Sequence, residues 1–228
     1  MGILEGFVVK EKTVVIVGNA KYVEKFDLTK LDGIETVACN RILLHKSFRP
    51  DHLVIADRRP YMPELKSGRL EKWANEGGKI YLSKALWDKK ISCASTPVQK
   101  KPRWKHKEFA FSAARSPLNW VGFKKPFCSC ANTGISLFQF AKAFGATRIG
   151  VTGIGLVPQV KNQSGHFYGK DSWGQQPSPE RAGEAAERIR DELKKMGIKV
   201  FNLSLENAEM ERIFGRYSFD KFCKETKR

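Results

Sequence analysis

The chain has 228 residues, 41% of them hydrophobic, and carries 41 Lys and Arg against 24 Asp and Glu, a formal net charge of +17. That length predicts one sizeable core with an insertion rather than two domains, and a field of that sign attracts polyanions: nucleic acid, an anionic glycan or an acidic lipid surface. No apolar run reaches the roughly 18–20 residues of a membrane span, and residues 1–7 lack the basic start and apolar core of a signal peptide, so the cytoplasm is the expected compartment.

Residues 14–17, Val-Val-Ile-Val, form the short β-branched run of a buried parallel strand and end at Gly18-Asn19. Further strands are predicted at 34–39, ending at Asn40, at 52–56, ending at Asp57, and at 79–82. Between the last two, Leu65, Leu70, Trp73 and Ala74 have helical spacing over 64–75, closed by Gly77-Gly78. Residues 89–127 break this alternation with ten Lys or Arg against the single Glu108, and with Trp104, Phe109, Phe111, Trp120, Phe123 and Phe127. Four prolines argue against one long helix there, so the segment reads as a basic aromatic insertion or lid.

The clearest apolar helix is 135–144, ended by Gly145, and a strand follows at 149–153. Ser178-Pro179 opens the longest helix, with Ser as N-cap, Glu180 near the positive end and Gly197 at the C-terminal cap. Its inward stripe is Ala182, Ala185, Ala186, Ile189, Leu193 and Met196. A last strand at 198–203 completes a Rossmann-like domain over 1–205, and 206–228 forms a tail of short amphipathic helices. The alternation predicts an α/β fold, a mostly parallel sheet with helices on both faces. Ligands in such sheets bind beyond the carboxyl ends of the strands, where Gly18, Asn19, Asn40, Asp57 and Gly153 fall.

Neither a GxGxxG fingerprint nor a P-loop is present. Gly18 offers a close backbone approach, and the Asn19 carboxamide can bond a base, a ribose or a phosphate oxygen. Asn132-Thr133-Gly134 precedes the 135–144 helix, either as an anion cradle of free N–H groups and the Thr133 hydroxyl or as an ordinary N-cap. His166 lies in the polar, glycine-flanked Ser164-Gly-His-Phe-Tyr-Gly169; an imidazole, whose unperturbed pKa lies near neutrality, can take a proton from an acceptor hydroxyl, and Tyr168 could position substrate or leaving group. His45, His52 and His106 read as structural or solvated. Cys39, Cys93, Cys128, Cys130 and Cys223 have no zinc spacing and read as free thiols. Lys100, Lys101, Arg103, Trp104, Lys105 and Lys107 fit a nucleic-acid surface, cations for phosphates and aromatic faces for bases, or else a solvated lid with its aromatics packed inward.

Val-Val-Ile-Val-Gly-Asn19, Ala-Cys-Asn40, Asn-Thr-Gly134, Gly-Ala-Thr-Arg-Ile-Gly-Val-Thr-Gly-Ile-Gly155 and Gly-His-Phe-Tyr168 stand in the order seen in bacterial sialyltransferases that modify lipooligosaccharide. They equally resemble the hydroxymethylpterin diphosphokinase (MptE-like) group, which includes phage proteins. The resemblance spans about residues 12–205 without the insertion. It implies a nucleotide donor held without a metal in the sialyltransferase branch: Asn19 and the Thr133-Gly134 turn on the nucleotide, Asn40 on donor phosphate or sugar, His166 as general base. The sequence departs from it at Gly150 and Val157, near which those sialyltransferases carry tyrosines, and at Gly155, where both groups commonly carry Asp. Three functions follow as expectations. The first is a transferase passing a sugar from a nucleotide donor to a hydroxyl on a polyanionic acceptor, with hydroxymethylated phage DNA as the example. The second is an ATP-dependent diphosphokinase needing Mg²⁺, for which Asp57 and Asp171 are candidate ligands. The third is a non-catalytic nucleic-acid-binding module.

Overall fold

Thr13–Val17 forms β1, an interior strand flanked by Glu35–Cys39 (β2) on one side and Arg148–Thr152 (β8) on the other. The computed structural model describes residues 11–87, 101–112, 127–128, 132–156, 165–169, 179–204 and 207–227. Lys100, most of the 89–127 segment, Val157, Ser164, Asp171 and Ser178 lie outside the described residues. His52–Ile55 (β3), Lys79–Ser83 (β4) and Lys107–Phe109 (β5) extend the sheet beyond β2, and Lys199–Asn202 (β9) extends it beyond β8. The order is β5-β4-β3-β2-β1-β8-β9, and every pair is parallel. Phe111–Ser112 (β6) and Phe127–Cys128 (β7) form a separate two-stranded parallel ribbon.

The apolar strand runs are continuous because both faces are covered. Val14, Ile16, Val37 and Val151 face one hydrophobic layer, and Val15, Val17, Leu53 and Leu82 face the other. The first layer is closed by the helices Thr133–Ala143 (α3), Pro179–Lys195 (α4) and Ala208–Phe214 (α5). The second is closed by Arg58–Lys66 (α1), Arg69–Asn75 (α2), Phe219–Thr226 (α6) and three short 3-10 turns at 21–25, 28–31 and 42–44. No helix among the described residues is long and apolar enough to cross a membrane.

Three expectations change. The single helix over 64–75 is two helices, because the chain turns at Gly68 with φ +73°, a conformation that favours glycine. Within the 89–127 segment, Lys107–Phe109 is the sheet's edge strand, so this piece is part of the fold's frame and not an appendage. Met196 is 41% exposed; the α4 stripe ends at Leu193, and Gly197 turns the chain with φ +70°. The C-terminal amphipathic helices bury Ile213, Phe219 and Phe222 as their pattern indicated. Phe222 of α6 is fully buried, and a Cβ at Gly150 would stand 2.8 Å from its ring. That packing explains why β8 carries glycine there, where a tyrosine would have no room.

Candidate functional site at the β1–β8 switch point

From β1 the sheet grows outward through β2 to β5, and the chain then returns to the opposite side of β1 as β8. The carboxyl ends of β1 and β8 therefore bound the crevice where such sheets take ligands. Two glycines let these ends touch. A Cβ at Gly18 would lie 2.1 Å from the Gly153 carbonyl oxygen, and one at Gly153 would lie 2.4 Å from Val23. Gly153 also has φ +72°. Gly18 N–H donates to Thr152 O at 2.9 Å and Ala20 N–H to Gly153 O at 2.8 Å. Beneath this turn, the buried Tyr22 hydroxyl donates to Ile154 O at 3.1 Å and shares a hydrogen bond with Ser204 Oγ at 2.9 Å, and the Asn207 side chain also donates to Ile154 O.

The α3 N-terminus abuts the same turn, since a Cβ at Gly134 would sit 3.2 Å from the Ile154 side chain. Asn132 caps this helix, its Oδ1 accepting from Gly134 N–H at 2.7 Å and Ile135 N–H at 3.3 Å. These two N–H groups are satisfied by the cap, so the N-cap alternative describes Asn132. The half-buried Thr133 stands at the first helical position beside the turn.

Asn19 and Asn40 follow paired strands whose register sets Val17 opposite Ala38. Asn19 is 5% exposed, and its Nδ2 donates to Cys39 O at 2.9 Å. Asn40 is held by its N–H on Val54 O at 3.0 Å and has φ +55°, the one non-glycine with positive φ among the described residues. The Oδ1 atoms of both are buried and accept no hydrogen bond. A buried acceptor left unpaired costs about 1–3 kcal/mol, and these two stand on neighbouring strand ends. That narrows the sequence reading. With the Asn19 amide nitrogen committed to Cys39, its oxygen suits a hydroxyl or amine and not a phosphate oxygen. Burial pushes the Cys39 thiol up to about 12 despite the Asn19 contact.

The His166 loop closes over these ends. His166 pairs with Ala20 as an antiparallel bridge, Lys21 N–H donates to Gly165 O at 3.1 Å, and Phe167 N–H to Asn19 O at 3.1 Å. The half-buried His166 and Tyr168 rings stack, with centroids 5.0 Å apart and planes 14° from parallel. The Arg41 guanidinium lies 4.9 Å from the Tyr168 centroid, and Phe167 packs edge-on to the buried His45. Arg41 Nε in turn donates to Oε1 of the fully buried Glu64 at 3.0 Å, and Arg69 donates to both oxygens of that carboxylate at 2.7 and 3.1 Å. Gly18, Asn19, Gly153 and His166 thus meet, with Asn40 on the neighbouring strand end. Sequence reasoning missed Tyr22, Arg41, Glu64 and Asn207. The available signals were a cation directly after Asn40, and a carboxylate three residues after the buried Tyr61 on one helix face.

Asp57 follows β3, the strand to which Asn40 is hydrogen-bonded through Val54 O. It caps α1 by accepting from Arg59 N–H at 2.9 Å and pairs with the Arg59 guanidinium at 2.7 Å. Burial pushes its carboxyl up, but the Arg59 hydrogen bonds outweigh this and the net shift is downward. Among the described residues no three His, Cys, Asp or Glu side chains gather as metal ligands. His52, near the amino end of β3, is a structural group stacked on Phe144 at 4.1 Å and bonded to Glu35 at 2.8 Å.

On the basic segment, Lys101, Arg103, Lys105 and Lys107 are exposed, alternating with half-buried Pro102, Trp104, His106 and Glu108. Lys101 pairs with Glu108 at 2.9 Å and lies over Trp87, and Lys107 lies over Tyr81. Trp104 packs against the second hydrophobic layer, and Phe109 and Phe127 are buried around Phe140. Phe109 and Phe127 thus pack inward, while Trp104 is half-buried. Arg103 and Lys105 carry no ion-pair partner among the described residues.

No protein-family model matches the chain, and no curated protein matches it in sequence. Its fold is similar to that of the sialyltransferase CstII from Campylobacter jejuni, whose structure was solved with the substrate analogue CMP-3FNeuAc. The two superpose with a TM-score of 0.51 at 13% identity, over 90% of this chain and 86% of the other. At that identity the likeness is one of architecture: this chain has the parallel, Rossmann-like α/β fold of a sialyltransferase.

Proposed function

We propose that the protein transfers a sugar from a nucleotide-activated donor to a hydroxyl acceptor. The observation that carries this reading is the pair of buried, unpartnered carboxamide oxygens of Asn19 and Asn40 beside a histidine tied to the end of β1. Two acceptors at a switch point suit the hydroxyls or amines of a ribose, a base or a sugar. His166 takes the proton of the acceptor hydroxyl. The hydroxyl oxygen then bonds the anomeric carbon, the bond from that carbon to the donor phosphate oxygen breaks, and its electron pair leaves with the nucleotide. Thr133 stands beside the crevice, and Gly18, Gly134 and Gly153 let the backbone segments that line it pack against one another. The fold shared with a sialyltransferase solved in complex with the substrate analogue CMP-3FNeuAc is consistent with this donor class.

The acceptor in this reading is polyanionic, with hydroxymethylated DNA as its example, and Arg103 and Lys105 are its exposed contacts beyond the sheet edge. Affinity for such an acceptor falls as a power of salt concentration set by the phosphates engaged; a flat salt profile removes it. The donor is tested by thermal shift and mass spectrometry of the protein with CMP-, UDP- and GDP-sugars and with ATP. A nucleotide sugar at 100 times its Kd adds about 2.7 kcal/mol of stability, and turnover releases the nucleotide while His166→Ala lowers the rate about 10²–10⁴-fold. Mg²⁺-dependent release of AMP from ATP overturns this reading in favour of diphosphoryl transfer.

A further inference from the structure

We infer that Tyr22 and Asn207 are positioning residues whose joint grip on the Ile154 carbonyl holds the α3 N-terminus against the β1–β8 crevice, an assignment that rests on that crevice being the donor site. β8 ends at Thr152, so the sheet ladder no longer holds the chain at Ile154. Side chains take over there. The Ile154 carbonyl oxygen accepts from the Tyr22 hydroxyl at 3.1 Å and from the Asn207 side-chain amide. The residue before it, Gly153, touches the end of β1 at Gly18. The Ile154 side chain lies against Gly134, where a Cβ would stand 3.2 Å away. Tyr22 comes from the turn after β1, Asn207 from the start of α5 and Gly134 from the start of α3. Three segments distant in sequence therefore meet through one residue.

The choice of asparagine at position 207 carries the inference. Its Oδ1 caps α5 by accepting from Met210 N–H at 3.1 Å. Asp and Ser cap helices about as well as Asn, so the cap does not select among the three. Asn alone of these presents an acceptor and a donor on separate atoms. The acceptor serves α5 and the donor serves Ile154 O. Ile154, Tyr22 and Asn207 are all buried. Burial pushes the Tyr22 phenol above its ordinary value, against the pull of its hydrogen bonds, so the hydroxyl keeps its proton and stays a donor. With its carbonyl held from two sides, Ile154 presents a fixed side chain to Gly134, and Thr133 beside it keeps its place at the crevice.

Asn207→Asp separates the two duties, since it keeps the helix cap and its shape but sets a carboxylate where the amide donated. Tyr22→Phe removes the other donor and keeps the ring. The donor dissociation constant, read by calorimetry with a nucleotide sugar, should rise about 3–10-fold in Tyr22→Phe and about 10–100-fold in Asn207→Asp. The loss should fall on this constant much more than on kcat. Labelling with carbonyl-labelled threonine and amide-labelled glycine selects glycine amides that follow threonine, and the sequence has two such pairs, Thr133-Gly134 and Thr152-Gly153. Both amide resonances should shift in each variant, with Gly134 reporting on α3. An unmoved Gly134 amide overturns the inference, as does a moved one with donor affinity within about twofold of wild type. A lowered urea midpoint with neither change gives the pair a role in folding alone and overturns it too. If Asn207→Asp does not fold, Tyr22→Phe decides by the same two readouts. A wild-type protein that binds no nucleotide sugar sinks the donor-site reading instead, and the Gly134 amide still decides whether the pair holds α3.

Discussion

Replacing Gly18 by alanine tests the contact that brings the two halves of the site together. The new methyl carbon would stand 2.1 Å from the Gly153 carbonyl oxygen, 2.6 Å from its carbon and 3.1 Å from Ile154 N. These are backbone atoms with no rotamer to change, so β1 and β8 must part by roughly an ångström at their carboxyl ends. Gly18 is not among the residues with positive φ, so the cost is steric. Overpacking of this kind costs about 1–3 kcal/mol. The Gly18–Thr152 and Ala20–Gly153 hydrogen bonds, at 2.9 and 2.8 Å, lie across the gap that must open. Each contributes about 1 kcal/mol. Against that, alanine narrows the unfolded ensemble by about 0.4–1 kcal/mol. The expected net loss is about 2–4 kcal/mol, a drop of about 1 M in the urea midpoint for a slope near 3 kcal/mol/M. Gly155→Ala is the control, since its methyl carbon would meet only Ala20 Cβ at 3.9 Å. Far-UV circular dichroism during urea unfolding reads both. If Gly18→Ala unfolds within about 0.5 kcal/mol of Gly155→Ala, the close approach of the strand ends is wrong, and with it the frame of the site.

Asn40→Gly should leave stability within about 1 kcal/mol, because the φ of +55° suits glycine. The same change removes a buried acceptor and should weaken donor binding about tenfold by calorimetry; unchanged binding would release Asn40 from the site. Stability should decline on acidification from neutrality. Burial lowers the pKa of His52, so its contribution is complete above the unfolded value of about 6.5 and drains as pH falls toward the folded value. The lowered carboxyls of Glu35 and Asp57 contribute above the ordinary carboxylate range and are lost below it. Urea midpoints that hold constant from pH 7.5 to about 5.5 would contradict the His52 assignment. Cys39, with its thiol pushed up to about 12, should resist iodoacetamide at mildly alkaline pH by about 10³-fold relative to the unfolded chain, measured by peptide mass spectrometry. Modification at the rate of a free thiol would show that the Asn19–Cys39 floor of the site opens readily.

The frame of this protein was legible in local pattern. The run at 14–17 is apolar at every position and that at 52–55 at all but His52, which only a strand covered on both faces tolerates, and parallel order follows from the alternation of strands with the helical stretches at 64–75, 135–144 and 179–195. The Ala182 to Leu193 stripe marked α4 by its period. Gly18, Asn19, Asn40, Gly153 and His166 were legible as strand-end and loop residues, because strand ends are fixed by where the apolar run stops. Local pattern failed where a distant partner decides the outcome. Glycine at position 150 has no local reason; Phe222, far along the chain, occupies the space its side chain would need. Lys107–Phe109 is a poor strand by composition and becomes one because β4 offers it an unpaired edge. Trp104, which reads in sequence as a stacking surface or an inward-packing side chain, is half-buried against the apolar layer beneath it. The direction in which Asn19 presents its carboxamide depends on the Cys39 carbonyl, which only the β1–β2 pairing delivers. The sequence by itself determined the strands, the helices and the residues at their ends, since these obey chain-local periodicity and backbone preference. Which of those ends face one another, and which atoms stay unpaired there, was decided by the folded sheet, because hydrogen-bond partners and steric contacts across more than a hundred residues exist only once the chain has closed.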